Sequence, residues 1–265
     1  MASGGGMVKV ASIQFAATKN APEASRQKAA RMINEAADKG ARLLVLPELW
    51  PTGFTPENFP AQAETMREAS ITMLRKLART RQIFIVGGSV AEKRDGRLYN
   101  TVAVIEETGE IAVKYRKAHL CRQEENIFSP GDEWALAEYA GLRLGIANNY
   151  DIYFPEFVRN LALRSAQLFA VPLLIKENMA KAQLLAQARA LENNCFVILA
   201  NQAKPQAAGQ SCIIAPDGCI LAAAESGEEV LLSELDIGTL ALAHRDHNDL
   251  NRRRNILDEI DNSQL

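Results

Sequence analysis

Short, almost wholly apolar segments that alternate with helical patterns are the feature that most restricts how this chain can fold. The clearest of them lie at 41–46, 167–174 and 195–200. A segment of this length without polar alternation is typical of a strand in a sheet that is covered on both faces. Segments with helical spacing of apolar residues lie at 22–39, 62–80, 155–165 and 180–193. The alternation of the two patterns predicts an α/β fold.

Hairpins complete the predicted strand set. They join 99–106 to 111–115 and 211–215 to 219–223. Further strands are predicted at 8–15, 83–90, 142–147 and 229–235. The stretch 117–134 is polar and breaks every periodicity, so we expect a long loop there, and long ordered loops are often functional. One α/β domain with a large mixed sheet, or with two sheets, accounts for this pattern.

The two ends of the chain differ from its middle. Residues 1–6 are small and glycine-rich, and we interpret them as the remnant of an expression vector, with Met7 opening the native sequence. A single domain is then expected over 7–265. The tail from Ala243 is charged, and we expect it to dock elsewhere on the fold or on a neighbouring subunit.

Composition excludes several classes of protein. Hydrophobic residues make up 48% and charged residues 23%, so disordered and fibrous chains are excluded. The net charge of -2 gives no basic surplus for nucleic acid. No apolar run reaches the roughly 18 residues of a membrane span, and no signal peptide precedes the first strand. We therefore expect a cytoplasmic protein that acts on a small molecule, with neither a nucleic acid nor a membrane as partner.

Cysteine and histidine usage argues against disulfides and metals. The four cysteines include no C-x-x-C pair, and there are only three histidines. A disulfide framework or a zinc site is therefore not expected, and neither is a cofactor.

Three polar segments follow predicted strands, where α/β folds place their functional sites. Glu48 follows the strand at 41–46, Lys117 belongs to a basic cluster at 114–117, and the acidic segment 149–156 joins a strand to a helix. Each segment also has a purely structural interpretation when it is taken alone. Glu48 could be a solvated loop residue, the cluster at 114–117 a solvated strand edge, and the segment 149–156 an acidic helix N-terminus.

Taken together, these segments and others resemble the nitrilase superfamily, the carbon–nitrogen hydrolases. The matching elements, in order, are ASIQ at 11–14, LPE at 46–48, GF at 53–54, YRKAHL at 115–120, SPGD at 129–132, YD at 150–151, FPE at 154–156, ARALEN at 188–193, Asn201, Gly209, Ser211 and PDG at 216–218. A single such motif carries little weight, whereas the ordered set is specific. It spans nearly the whole chain, from Val8 to about Asp236.

The resemblance implies a four-layer α-β-β-α sandwich, assembly into a homodimer or a larger homo-oligomer, and a Glu–Lys–Cys triad acting on C–N bonds. It makes Glu48 the general base and Lys117 the cation that stabilises the tetrahedral intermediate. A second glutamate falls at Glu124, with Glu125 as the alternative. The resemblance also implies that Phe54 and Tyr150 contact the substrate.

One departure from the family pattern decides the chemistry. The nucleophilic cysteine of the family directly precedes the Tyr-Asp pair, and here that residue is Asn149. An amide nitrogen is a poor nucleophile because its lone pair is delocalised. Cys121 could approach the pocket, but we interpret it as a small apolar loop residue and give no cysteine a catalytic role. A milder departure lies at 173–176, where Leu-Leu-Ile-Lys replaces an Asn-Trp-Pro type segment, so we expect a different pocket wall.

Three interpretations of function remain open on the sequence. The first is a repurposed enzyme that uses Glu and Lys for non-covalent cyclisation, dehydration, or C–N addition or hydrolysis on a small amide, amidine or amine. The second is a binding protein without turnover. The third is an ordinary amidase in which the cysteine was changed to asparagine by mutagenesis. Retention of the costly buried charges favours the first over the second.

Overall fold

Two mixed six-stranded sheets pack against each other in the computed structural model, which describes residues 6–240 and residue 250. In chain order the strands are β1 Met7–Gln14, β2 Leu43–Val45, β3 Phe84–Arg94, β4 Arg97–Ile105, β5 Ile111–Arg116, β6 Leu136–Tyr139, β7 Leu142–Ile146, β8 Leu168–Pro172, β9 Phe196–Ala200, β10 Cys212–Ile214, β11 Ile220–Ala223 and β12 Glu229–Asp236. Residues 1–5 and nearly all of the tail from Ala243 lie outside the described residues, so the vector remnant and the docking of the tail stay predictions.

The strand order differs from the chain order at one edge of the first sheet. That sheet runs β12-β1-β2-β3-β4-β5, and the second runs β11-β10-β9-β8-β7-β6. The pairs β1–β2, β2–β3, β7–β8 and β8–β9 are parallel, and the outer pairs are antiparallel. The chain thus leaves the second sheet after its last hairpin and returns to pair β12 with β1.

Helices cover the outer faces of both sheets. They are α1 Pro22–Asp38, α2 Phe59–Gln62, α3 Ala69–Arg81, α4 Pro155–Leu163 and α5 Met179–Asn193. Buried residues of α1 and α3 pack on the first sheet, and those of α4 and α5 pack on the second. None of the described helices is long and apolar enough to cross a membrane. The expected α-β-β-α sandwich is confirmed.

Strand alternation explains how one sheet serves two apolar layers. In β2, Leu43 and Val45 join the core between the sheets, whereas Leu44 joins the core beneath α1 and α3. The same division holds in β4, where Val104 joins the core between the sheets and Ala103 joins the core beneath α1 and α3. Successive side chains leave a strand on opposite faces, so a strand between two apolar layers must be apolar throughout. This is why the short apolar segments identified the sheets.

The helix predicted over 62–80 was wrong over residues 63–68, which is almost two turns. The structure ends α2 at Gln62 and starts α3 at Ala69. Between them, Glu64 forms an isolated bridge to β3, and its carboxylate accepts the Ser70 N–H at 2.8 Å and the Ser70 hydroxyl at 2.7 Å. A carboxylate that accepts N–H groups at a helix start stabilises that start, so the helix begins later than apolar spacing indicated.

A glycine allows β3 to pass close to the segment that follows β2. Gly88 has a φ of +60°, and a Cβ there would overlap the Pro47 carbonyl oxygen and lie 2.7 Å from Cδ1 of Trp50. The register of β3 against β4 shifts between Val86 and Ser89, as in a bulge. The close approach brings the Ser89 hydroxyl to the Leu49 N–H, at 2.9 Å. Gly88 therefore holds the Glu48 segment against the sheet.

We expect Gly88→Ala to lower the free energy of unfolding by about 2–3 kcal/mol, because backbone strain and overlap with a carbonyl oxygen add together. Gly96→Ala is the matched control, since Gly96 also has a positive φ, of +75°, but faces open space. It should cost about 1 kcal/mol. Urea denaturation of both variants checks this, and equal losses would contradict the packing role of Gly88.

Candidate active site

A buried lysine lies between two buried glutamates where several strands end. Glu48 follows β2, Lys117 comes directly after β5, and Glu124 lies in the loop between β5 and β6. The Lys117 ammonium donates to Glu48 Oε1 at 2.8 Å and to Glu124 Oε2 at 2.7 Å. The lysine side chain is 0% exposed and both carboxylates are 3% exposed. Such a cluster is tolerable away from water only because its charges are paired.

Asn149 reaches the same cluster from the second sheet. It follows β7 and begins a 3-10 helix, Asn149–Tyr153, with a φ of +49°. Asparagine adopts this left-handed conformation more readily than most residues do. Its Nδ2 donates to Glu48 Oε2 at 2.6 Å. The strand–turn–helix junction therefore points the Asn149 side chain at the glutamate.

Two residues that sequence reasoning missed position the glutamates. Nδ2 of Asn100, on β4, donates to Glu48 Oε1 at 2.8 Å and to Glu124 Oε1 at 3.0 Å, and its Oδ1 accepts from Asn148. Gln202 donates to the Glu48 carbonyl at 2.8 Å. The sequence marks Asn100 only as a polar residue within an apolar strand, and Gln202 only as a polar residue beside one. Both are buried, so each acts on the site through hydrogen bonds.

Hydrogen-bond counting shows where a ligand can still bind. A carboxylate has about four acceptor positions, and Glu48 uses two on Oε1 and one on Oε2. The remaining position is on Oε2, next to Asn149. Lys117 has three N–H donors, and its two hydrogen bonds to the glutamates leave the third. The cluster thus retains one acceptor and one donor.

The environment separates the acidities of the two carboxyl groups. Burial raises the pKa of Glu48 and outweighs the Lys117 charge. Burial also acts to raise the pKa of Glu124, but Lys117 and the hydrogen bonds from Cys121 and Asn100 outweigh it and lower that pKa. For Lys117, burial is outweighed by the two carboxylates, which raise its pKa. Glu48 is therefore the member of the cluster that takes up a proton most readily.

A cavity of about 300 Å³ gives access to this cluster. It is lined by Glu48, Phe54, Cys121, Gln123, Glu124, Asn149, Leu174, Lys176 and Glu177. Of the departures noted in the sequence, the 173–176 segment thus contributes Leu174 and Lys176 to the wall. Within residues 6–240 and 250, no group of three or more His, Cys, Asp and Glu residues could hold a metal ion.

The other predicted site residues fall in different places. Phe54 lines the cavity, and Glu124 is buried in the cluster whereas its alternative, Glu125, is exposed. The Tyr150 ring lies 5.3 Å from those of Tyr153 and Phe154 and is not among the residues that line the cavity.

The cysteines also separate by position. Cys121 lines the cavity, and burial followed by the Glu124 charge raises the pKa of its thiol. Cys212 is buried in β10, where burial raises its pKa to about 12, and Cys195 is buried beside β9. Cys219 is exposed in the turn before β11. Cys121 is therefore the thiol that shares the cavity with Asn149.

Asp151 fixes the start of the long loop that carries Glu124. Its Oδ2 accepts the Tyr115 hydroxyl at 2.7 Å, and its Oδ1 accepts the His119 N–H at 3.0 Å and lies 2.8 Å from the His119 ring. The Tyr115 oxygen in turn accepts the Ala118 N–H. These hydrogen bonds tie the residues on both sides of Lys117 to the second sheet. The YRKAHL and YD motifs thus hold the backbone around Lys117 in place.

Comparison with known proteins shows that the sequence and the fold are similar to those of carbon–nitrogen hydrolases. The family model described as "Carbon-nitrogen hydrolase" matches residues 9–245. Omega-amidase NIT2-A of Xenopus laevis is 35% identical over 230 residues, which are 81% of this chain and 83% of that protein. Omega-amidase NIT2 of Homo sapiens is 33% identical with the same coverage.

Solved structures agree. Nit3 of Saccharomyces cerevisiae, described as a member of branch 10 of the nitrilase superfamily, superposes with a TM-score of 0.86 at 28% identity, covering 91% of this chain and 94% of that one. A cysteine-to-alanine mutant of the Nesterenkonia sp. AN1 amidase in complex with butyramide gives 0.81 at 28% identity, covering 91% and 97%. In another structure of that amidase, the acetamide moiety of fluoroacetamide is attached to the active site cysteine.

Proposed function

Because the chain belongs to the carbon–nitrogen hydrolase family, the nitrilase superfamily, we propose that it acts on a small polar amide, amidine or amine by Glu–Lys acid–base chemistry, without a covalent intermediate at position 149. The observation that carries this proposal is the buried Glu48–Lys117–Glu124 cluster beside a cavity. The side-chain amide of Asn149 donates a hydrogen bond to Glu48 in this cluster. We further propose that Asn149 stands where the family has its nucleophilic cysteine.

Each group has a role that its contacts support. Glu48 takes a proton from water or from an internal amine at its free Oε2 position, which its raised pKa favours. The third N–H of Lys117 meets the oxygen on which negative charge develops. Asn149 orients the reacting group by hydrogen bonds. Glu124 keeps Lys117 charged and in place.

Binding without turnover is the second candidate function. The 2.6 Å hydrogen bond from Asn149 to Glu48 Oε2 favours it, because this bond lies where the proton transfer would occur. In that case, the cluster would serve only to recognise a ligand that carries both a donor and an acceptor.

Glu48→Gln separates the two candidates. It preserves shape but removes the base, so turnover of small carboxamides and amidines, measured as ammonia release, should fall about 100-fold or more. Glu125→Gln, at the exposed neighbour of Glu124, is the matched control and should leave turnover unchanged. Ligand-observed NMR measures binding in parallel. Binding without ammonia release in the parent chain would favour the second candidate, and turnover unaffected by Glu48→Gln would contradict the first.

The proposed setting is the cytoplasm, with assembly into a homodimer or larger oligomer. Four unpaired cysteines suit a reducing compartment. Leu184 and Leu191 project from α5 with 67% and 58% of their surface exposed, as apolar residues at a subunit contact would in an isolated chain.

A further inference from the structure

The motif residues Asn201, Gly209 and Ser211 form one network that the proposed chemistry does not use. The Asn201 N–H donates to the Ser211 hydroxyl at 2.9 Å, and the side-chain nitrogen of Asn201 donates to the Gly209 carbonyl at 2.8 Å. Asn201 and Ser211 are fully buried, and none of the three residues lines the cavity. Contact with a ligand in the cavity therefore does not explain them.

The side chain of Asn201 pairs with the main chain of Ile175 as a neighbouring strand would. Its Oδ1 accepts the Ile175 N–H at 2.9 Å, and its Nδ2 donates to the Ile175 carbonyl at 3.1 Å. The preceding main-chain hydrogen bond between the two segments runs from the Leu173 N–H to the Ala200 carbonyl, at 2.7 Å. A primary amide carries the same donor and acceptor as a peptide group. Asn201 thus continues the pairing of β8 with β9 past the ends of both strands.

Ile175 lies between two residues of the cavity wall. Leu174 and Lys176 line the cavity, whereas the Ile175 side chain packs against the core between the sheets. The Ala208 N–H also donates to the Ile175 carbonyl, at 2.9 Å, but the Ile175 N–H is held by Asn201. Hydrogen bonds behind a site fix the side chains that form it. The position of this part of the wall therefore depends on Asn201.

The next residue, Gln202, holds another side of the cavity. Its Nε2 donates to the Glu48 carbonyl at 2.8 Å, and its Oε1 accepts the Ala17 N–H at 3.0 Å. The Glu48 N–H in turn donates to the Leu173 carbonyl at 3.1 Å. Two consecutive residues after β9 therefore fix two sides of the cavity relative to each other, one through Glu48 and the other through Ile175.

We propose that Asn201 is a positioning residue that sets the width of the cavity and thereby the size of the substrate that the cavity admits. Asn201 acts through the Ile175 main chain and does not touch the substrate. Without its amide, the Ile175 N–H loses its partner, and the side chains of Leu174 and Lys176 are no longer fixed. The control of cavity width follows from these hydrogen bonds, whereas the consequence for substrate size rests on the proposed function as well.

The four cysteines of the chain provide a test that does not depend on turnover. Cys121 lines the cavity, Cys219 is exposed, and Cys195 and Cys212 are buried. Iodoacetamide or the bulkier N-phenylmaleimide is applied to the folded protein, and peptide mapping gives the alkylation rate of each thiol. The preference of Cys121 for the small reagent, divided by that of Cys219, measures the width of the cavity. Alkylation of the two buried thiols reports unfolding.

Asn201→Ala should lower this size preference about tenfold, because two hydrogen bonds to Ile175 are lost, while the buried thiols stay protected. Leu174→Ala shortens a side chain of the wall itself and should lower the size preference in the same direction. Asn193→Ala is the matched control, since Asn193 is also fully buried but donates to the Arg189 carbonyl within α5. It should leave the size preference unchanged even where it lowers stability.

An unchanged size preference in Asn201→Ala or in Leu174→Ala would overturn the proposal. A loss in Asn201→Ala that comes with equal exposure of Cys212 would overturn it too, because unfolding would then be the cause. If Asn201→Ala does not fold, Asn201→Ser replaces it, since the serine side chain is too short to reach both main-chain groups of Ile175. The same outcomes then decide.

Turnover of linear carboxamides of increasing length gives the second readout. The ratio of kcat/KM for long over short carboxamides should rise about tenfold in Asn201→Ala. A ratio that stays constant while kcat falls for every length would overturn the specificity role. Absence of turnover in the parent chain would contradict the proposed function, and the thiol rates would still decide whether Asn201 sets the width of the cavity.

Discussion

Replacing Lys117 by methionine is expected to lower the free energy of unfolding by about 3–5 kcal/mol at pH 7. Methionine fills most of the lysine volume, so the loss comes from charge. Glu48 and Glu124 would then be two buried carboxylates without their cation. Lys39→Met is the control, because Lys39, directly after α1, forms an exposed ion pair with Glu35, and the substitution should cost about 0–1 kcal/mol. Urea denaturation of both variants provides the comparison.

The pH dependence of the Lys117→Met variant adds a second readout. Without the cation, burial and mutual repulsion raise the pKa of both carboxyls above their values in the unfolded chain. The folded variant then binds more protons than the unfolded one, so its stability falls as the pH rises and recovers toward pH 5. A small loss at pH 7 that does not vary with pH would show that the carboxylates are not desolvated as their burial indicates.

Asn149→Cys is expected to create a thiol that iodoacetamide alkylates about tenfold faster at pH 7 than it alkylates Cys121, because Glu48, which accepts the Asn149 amide at 2.6 Å, is placed to take the thiol proton as a general base. Some hydrolysis of small carboxamides should appear with it if Glu48 remains the base. Cys121 is the internal comparison, since it lines the same cavity. Cys219 is the exposed standard.

Peptide mapping after timed alkylation gives the three rates in one sample. A new thiol that reacts no faster than Cys219 would show that the Glu–Lys environment cannot activate a nucleophile, which favours the binding function. Gain of hydrolysis together with loss of an activity that the parent chain has would favour repurposing.

Site residues that directly follow strands could be predicted from the sequence. Site residues that lie within a strand, such as Asn100, could not. Glu48, Lys117 and Asn149 were identifiable because each follows a strand in an ordered set of motifs. Their hydrogen bonds in the structure bring them into one cluster. Asn100 gives no comparable signal, since its role depends on the register of β4 with β5 and on a loop that folds back over it.

Other differences arise from the path of the chain between elements. Apolar spacing placed a helix over 62–80, but the Glu64 carboxylate delays its start to Ala69. Cys121 reaches the cavity wall through a turn in which the Glu124 N–H donates to the Cys121 carbonyl at 2.7 Å. Neither contact has a periodic signature, because both depend on one side chain or one turn.

Intact-mass spectrometry of the parent chain during turnover tests whether the reaction proceeds without a covalent intermediate. The chain is incubated with the panel of small carboxamides and amidines, quenched at intervals, and weighed while ammonia release is followed in the same samples. We expect that ammonia is released, that its release depends on Glu48, and that the mass of the chain does not change. An acyl-sized increase that peptide mapping locates at Asn149 or Cys121, or the absence of product from every compound, would contradict this expectation.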